Sequence, residues 1–258
     1  MKRIQWFVAF VILFLLSTPL ILIGVSRTDT PQTTPANPEL DILIKRAESM
    51  VARKLYDDAI ETYAKCIAIA PRDATLYNRL GVAYHRKQDL TLARKNYEKA
   101  VKLEPNYAEA LNNLGTVAFA EKKYNKAIRY YKKAVKLKPD AATMHFNLAS
   151  AWFAKESYDK AFPEYQTAFN QDPDLMEHIS ATGSMVRTTG FNRAKYHFYL
   201  AKIYAEMGNV ERALDYLARA MEEGFKDMNL LYKDQSFAAL IKDERFSRLM
   251  QNPPKPIE

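Results

Sequence analysis

Four histidines, one cysteine and thirty Asp or Glu residues are the groups of this 258-residue chain that could hold a metal or move a proton. The histidines are His85, His145, His178 and His197. No pair of them has i, i+4 spacing with a carboxylate partner, and no His-Glu-x-x-His occurs, so a hydrolytic zinc site has no ligand set. Cys66 has no histidine near it in sequence. As a lone cysteine it forms no intramolecular disulfide, and it says nothing about redox compartment. There is no Gly-x-Ser-x-Gly nucleophile turn, no phosphate-cradling Gly-x-x-x-x-Gly-Lys-Ser/Thr loop and no Gly-x-Gly-x-x-Gly dinucleotide turn. The carboxylates lie near lysines at helical spacing and read as solvated pairs. The sequence therefore gives no catalytic, metal or cofactor residue and reads as non-enzymatic.

The elements that would have to position any site are helical. Glycine is scarce, with 7 residues, tyrosine is abundant, with 16, and 48% of the chain is hydrophobic, which suits a packed all-α domain. From residue 40 the chain repeats itself every thirty-four residues. Prolines fall at 71, 105, 139 and 173. The same register carries Ala59, Ala93, Ala127 and Ala161; Tyr63, Tyr97, Tyr131 and Tyr165; and Cys66, Ala100, Ala134 and Ala168. Leu80, Leu114 and Leu148 precede Gly81, Gly115 and Ala149. Small residues let paired antiparallel helices approach, tyrosine and leucine fill the gaps, and proline stops the second helix of each pair. Cys66, in an alanine column, reads as a small buried apolar residue.

These columns resemble the tetratricopeptide-repeat family, whose period is thirty-four. The resemblance implies an all-α solenoid of helix-turn-helix units wound as a right-handed superhelix. Its repeats are 40–73, 74–107, 108–141 and 142–175. A further copy lies at 194–225, carried by Leu200-Ala201, Tyr204, Gly208, Ala213, Leu217 and Ala220, with Phe225 in place of the expected proline. Residues 176–193 break the register and read as an irregular insert or distorted helix. Asp234-x-x-Phe237-x-x-Leu240 and Asp243-x-x-Phe246-x-x-Leu249 predict two short capping helices within 226–250, followed by a tail at 251–258. The family's first helices line a concave groove. Their outward positions imply a partner-binding face of Asn78, Arg79, Asn112, Asn113, Thr116, Phe119, Phe146, Asn147, Ser150 and Phe153. The family's carboxylate clamp loses most of its cations here, because its positions hold Asn78, Val82, Asn113, Thr143 and Asn147. Asn113 and Asn147 instead resemble an asparagine ladder that holds a peptide backbone, with the three phenylalanines as apolar contacts. The alternative, that asparagine is simply common before Leu-Gly in this repeat, stays open.

Charge and the N-terminus supply the setting. The net charge is +8, and residues 72–139 hold sixteen Lys or Arg against six Asp or Glu. The run Lys122, Lys123, Lys126, Arg129, Lys132, Lys133, Lys136 and Lys138 reads as a solvated face with weak attraction for anionic lipid. Tyr124 and Tyr131 fall in packing columns, which argues against nucleic acid. Lys2 and Arg3 precede an apolar run from Ile4 to Val25, about 22 residues, long enough to span a bilayer. The expectation is a signal anchor over 1–25 with the N-terminus cytoplasmic and the repeats extracytoplasmic, on a Thr/Pro-rich linker over 26–39. A cleaved segment and a secreted or periplasmic protein is the alternative. The functional expectation is a membrane-tethered scaffold binding a protein or peptide. The alternatives are an envelope assembly or secretion factor contacting lipid or pilus components, or an undetected cell-envelope enzyme.

Overall fold

Each proline of the thirty-four-residue series sits two residues beyond a helix end, at Ile69, Leu103, Leu137 and Gln171. The residue between leaves the helical region, because proline disfavours helix at its predecessor. The computed structural model describes residues 37–182 and 192–255. These form fourteen α-helices and one 3-10 turn, with no strand among the described residues. The helices pair as the columns require: α1 (Pro38–Ala52) with α2 (Tyr56–Ile69), α3 (Ala74–Arg86) with α4 (Leu90–Leu103), α5 (Ala108–Ala120) with α6 (Tyr124–Leu137), α7 (Ala142–Ala154) with α8 (Tyr158–Gln171). After α9 (Leu175–Thr182) comes the displaced fifth pair, α10 (Arg193–Glu206) and α11 (Val210–Glu222). The second helix of each of the first three pairs packs on the first helix of the next, which makes a stack.

The turn inside every pair is built alike. The fifteenth residue of each repeat is left-handed: Lys54, Gln88, Lys122 and Glu156 at φ 63°, 71°, 59° and 59°, and Gly208 at 72°. There the next N–H reaches back five residues, as Leu55 to Met50, Asp89 to Tyr84, Lys123 to Ala118, Ser157 to Trp152 and Asn209 to Tyr204, all at 2.8–3.0 Å. This ties off the orphan carbonyls of the first helix. Four of the five turns accept a side chain where glycine carries no steric cost.

The small columns have a specific cause. A Cβ built on Gly115 would lie 2.5 Å from Tyr131 Cε1, and one on Gly81 would lie 2.6 Å from Tyr97 Cε1. The glycines therefore seat the tyrosine rings of the partner helix. Cys66 is fully buried and free, as expected for its column; burial pushes its thiol up, away from the reactive thiolate.

Two expectations need adjustment, and a third falls outside the described residues. The segment expected to be irregular begins with α9, where Leu175 is buried in the core and Arg212 of α11 donates to the Pro173 carbonyl at 2.6 Å and pairs with Asp174 and Glu177. Residues 183–191 lie outside the described residues. The C-terminal segment forms four short pieces rather than two: α12 (Asn229–Lys233), the 3-10 turn Gln235–Phe237, α13 (Ala238–Ile241) and α14 (Glu244–Gln251). Asp234 and Asp243 do cap, accepting from the N–H of Ser236 and Arg245, and Phe237, Leu240 and Phe246 are buried against α10 and α11. The predicted anchor over 1–25, and residues 26–36 of the linker, lie outside the described residues. None of the described helices is long and apolar enough to cross a membrane.

Candidate partner-binding face

The first helices of repeats two to four bring the predicted polar residues together, but they use much of their bonding capacity on one another. Asn113 Nδ2 donates to Asn78 Oδ1 at 2.9 Å, and Asn147 Nδ2 donates to Asn112 Oδ1 at 3.0 Å. Asn78 Nδ2 in turn donates to the Tyr107 hydroxyl at 3.4 Å. The partners are thirty-five residues apart, one period plus one. The amide at position six of one repeat therefore meets the amide at position five of the repeat before it. Instead of a row of amides turned wholly toward a ligand, the asparagines form a stitch between repeats, with Asn78 and Asn147 buried and Asn112 and Asn113 half-buried. The Oδ1 atoms of Asn113 and Asn147 and the Nδ2 of Asn112 take no hydrogen-bond partner among the described residues. One amide thus leaves an acceptor or a donor over.

The hydroxyls at position nine serve the tyrosine column. Tyr131 OH donates to Thr116 Oγ1 at 3.2 Å, while Thr116 Oγ1 donates to the Asn112 carbonyl. Ser150 repeats this with Tyr165 OH at 3.0 Å and the Phe146 carbonyl at 2.9 Å. Burial pushes both phenols well above their ordinary range, so they remain protonated donors. Thr116 stays half-buried, whereas Ser150 is sealed. Arg79 faces Glu48 of the first repeat at 3.3 Å across a partly open surface.

The sequence places Phe119, Phe146 and Phe153 on the open face, and the structure corrects this. All three rings are core. Phe146 meets Tyr165 and Phe169 edge-on at 5.2 and 6.2 Å, Phe153 meets Tyr158 at 4.9 Å, and Phe119 meets Tyr124 at 5.3 Å. Positions five and twelve lie on the flank turned toward neighbouring helices, where a large apolar ring is drawn out of water. These rings and Ser150 are not surfaces for a ligand. The open polar row reduces to Arg79, Asn112, Asn113 and Thr116.

The histidines sit in structural pairings. His145 Nδ1 lies 2.6 Å from Glu164 and its Nε2 lies 2.9 Å from the Pro139 carbonyl. His197 Nδ1 lies 2.7 Å from Glu223, which Arg193 also meets at 2.6 Å. Among the described residues no three His, Cys, Asp or Glu side chains converge to hold a metal.

Sequence reasoning missed the face of the fifth pair. There Tyr199 stacks on Tyr158 at 5.2 Å, Lys195 lies 3.9 Å over the Tyr158 ring, and Lys202 lies 4.6 Å over Phe162 while pairing with Asp234 at 2.7 Å. Restarting the position count at 194 gives the signal: Lys195, Tyr199 and Lys202 hold positions two, six and nine, equivalent to Glu109, Asn113 and Thr116.

Comparison with known proteins agrees with the repeat fold. Tetratricopeptide-repeat family models match residues 72–140, 114–174 and 196–223, and a further TPR-repeat model matches 50–88. No curated protein matches the sequence. Among solved structures, PilF of Pseudomonas aeruginosa is similar at 17% identity, over 83% of this chain and 93% of that one, with a TM-score of 0.55. MamA from residue 41 to its end, of Desulfovibrio magneticus RS-1, is similar at 19% identity, over 72% of this chain and 96% of that one, with a TM-score of 0.51. At these identities the likeness concerns the fold. The described residues form an all-helical solenoid of tetratricopeptide repeats.

Proposed function

We propose that this chain is a non-enzymatic scaffold that holds an extended segment of a partner protein along the first-helix face of repeats two and three. The observation that supports it most is the open row of Arg79, Asn112, Asn113 and Thr116. Its amides, already oriented by their bonds across repeats, keep one donor and one acceptor to spare, which suits a peptide backbone without reading its sequence. The scaffold is held at a membrane by residues 4–25, with the repeats on the extracytoplasmic side. The apolar run and its basic start support this reading.

Site-specific photocrosslinking from position 112 in the full chain, on native membranes, tests the face. The expected result is one crosslinked partner whose peptide segment also binds the purified chain, and binds it several-fold more weakly after Arg79→Glu. Crosslinks that form equally from exposed Lys226 would reject the face. N-terminal sequencing of the membrane fraction tests the tether, and a mature chain that starts near Arg27 would reject it.

A further inference from the structure

Helix α6 differs in charge from every other second helix of the stack. Its sequence YNKAIRYYKKAVKL holds Lys126, Arg129, Lys132, Lys133 and Lys136 and no carboxylate. By contrast α2 carries Asp57, Asp58 and Glu61, α4 carries Glu98, α8 carries Asp159 and Glu164, and α11 carries Glu211, Asp215 and Glu222. Arg129, Lys132, Lys133 and Lys136 are exposed. Among the described residues none of the five cations of α6 has a carboxylate within salt-bridge distance, although the flanking Lys123 and Lys138 pair with Glu121 and Glu109. Arg129 with Lys132 and Lys133, and Lys136 with Lys132 and Lys133, are like charges three or four apart, an arrangement that destabilises a helix. The helix dipole favours Lys136 in the last turn but gives nothing to Arg129. Lys95, Lys99 and Lys102 are exposed on α4 of the preceding repeat.

We propose that the solvent face of α6 docks on an anionic phospholipid surface. This rests on the membrane tether proposed above, which keeps a bilayer within reach, and is separate from the peptide-binding face. Three of the four exposed cations are lysines, hydrated point charges on flexible stems that suit a fluid field of phosphates better than fixed bidentate partners. The neighbouring apolar groups also fit an interface. Leu137 at the helix end is 38% exposed, and the half-buried Trp152 lies under Lys132 at 5.7 Å and Lys160 at 4.9 Å. Lysine stems can lie along such surface while the charged heads reach outward. The tyrosines of α6 offer no stacking platform for bases, since Tyr131 is fully buried, Tyr124 is half-buried against Phe119 and Tyr130 is half-buried with Lys126 at 5.8 Å over its ring.

Amine-reactive footprinting of the full chain, mixed with phosphatidylcholine vesicles or with vesicles that also contain phosphatidylglycerol, tests the proposal. Labelling of Lys132, Lys133 and Lys136 should fall several-fold on the anionic vesicles at low salt and recover at high salt, with exposed Lys226 and Lys233 unchanged. In the variant Arg129→Glu with Lys133→Glu, protection of Lys132 and Lys136 should disappear while the thermal melt does not fall, since the new carboxylates relieve like-charge pairs on the helix. A chain that floats with both vesicle types while its lysines label equally keeps the tether and overturns the docking. A chain that floats only with anionic vesicles, with those lysines protected, supports the docking and rejects the tether. Protection by polyglutamate or an oligonucleotide in solution, with none on anionic vesicles, assigns the face to another polyanion and overturns the lipid reading.

Discussion

Position five holds Asn112 in the third repeat and Phe146 in the fourth, and the two halves of the stack diverge from there. Up to that point successive repeats are joined by amide pairs and by small, separate clusters of alanine, leucine and tyrosine, such as Ala93, Tyr97, Leu114 and Val117. Beyond it one continuous cluster runs from Phe146 through Phe153, Phe169, Tyr196, Phe198, Tyr204 and Tyr216 to Phe237 and Phe246. The amide stitch stops at Asn147, because Phe146 offers no acceptor and position six of the fifth pair is Tyr199. The same register thus supports two ways of joining repeats. A polar joint leaves amide hydrogen-bonding capacity at the surface, and an aromatic joint leaves no amide there. This is why the candidate face lies in the first half.

The largest expected contrast is in the aromatic half. Phe153→Ala removes a ring that meets Tyr158, Tyr196 and Tyr199 at 4.9, 5.6 and 5.8 Å, and should cost about 3–5 kcal/mol. Hydrogen exchange should show lost protection across α7 to α11 with α3 and α4 retained, since neighbouring repeats carry the coupling. Uniform loss along the stack would erase the distinction between the halves.

Next in size is the glycine seat. Gly115→Ala drives a Cβ into the fully buried Tyr131 ring and should cost about 1–3 kcal/mol. Ala149 holds the same position in the fourth repeat beside Tyr165, so that repeat has already adjusted to a methyl. Ala149→Gly should therefore also destabilise, by about 1 kcal/mol through helix propensity. Chemical denaturation of both variants checks this, and a stabilising Gly115→Ala would refute the seat.

The amide joint should be weaker. A double-mutant cycle on Asn78 and Asn113, each replaced by alanine, should give a coupling of about 0.5–1.5 kcal/mol. The equivalent cycle on Phe146 and Tyr199 should give none. Zero coupling in the first cycle would return the asparagines to the role the sequence suggested, amides turned wholly toward a ligand.

That correction marks where sequence legibility ended. Spacing alone located the helix pairs, because Pro71, Pro105, Pro139 and Pro173, the tyrosines and the glycines each answer to one local constraint. The face was harder, because exposure at position five varies from repeat to repeat with the neighbouring helices: Asn112 stays partly open where Asn78 and Phe146 are buried. The inter-repeat amide bonds needed a register of thirty-five, which a search at thirty-four does not show. The helix α9 lay within a break of eighteen residues and the face of the fifth pair behind it, where the column count must restart.

The smallest contrast is at position twelve, which holds His85 in repeat two, Phe119 in repeat three and Phe153 in repeat four. His85 packs edge-on against Tyr97 at 6.4 Å. Burial, with a smaller contribution from adjacent Arg86, holds its imidazole below the ordinary value of 6.5. The folded chain therefore keeps His85 neutral where the unfolded chain takes up a proton. The stability this residue contributes is present above about pH 6.5, its unfolded pKa, and is lost as pH falls below it toward the folded pKa. His85→Phe gives repeat two the residue of repeats three and four and removes that linkage. The stability difference between variant and wild type should thus grow in the variant's favour as pH is lowered from about 7.5 to 5. Comparing the two chains cancels the slopes of His197, whose pKa is also lowered by burial, and of exposed His178, whose pKa is raised by Asp172. A difference that stays constant across that range would mean that position twelve of repeat two is open to water, unlike its counterparts in repeats three and four.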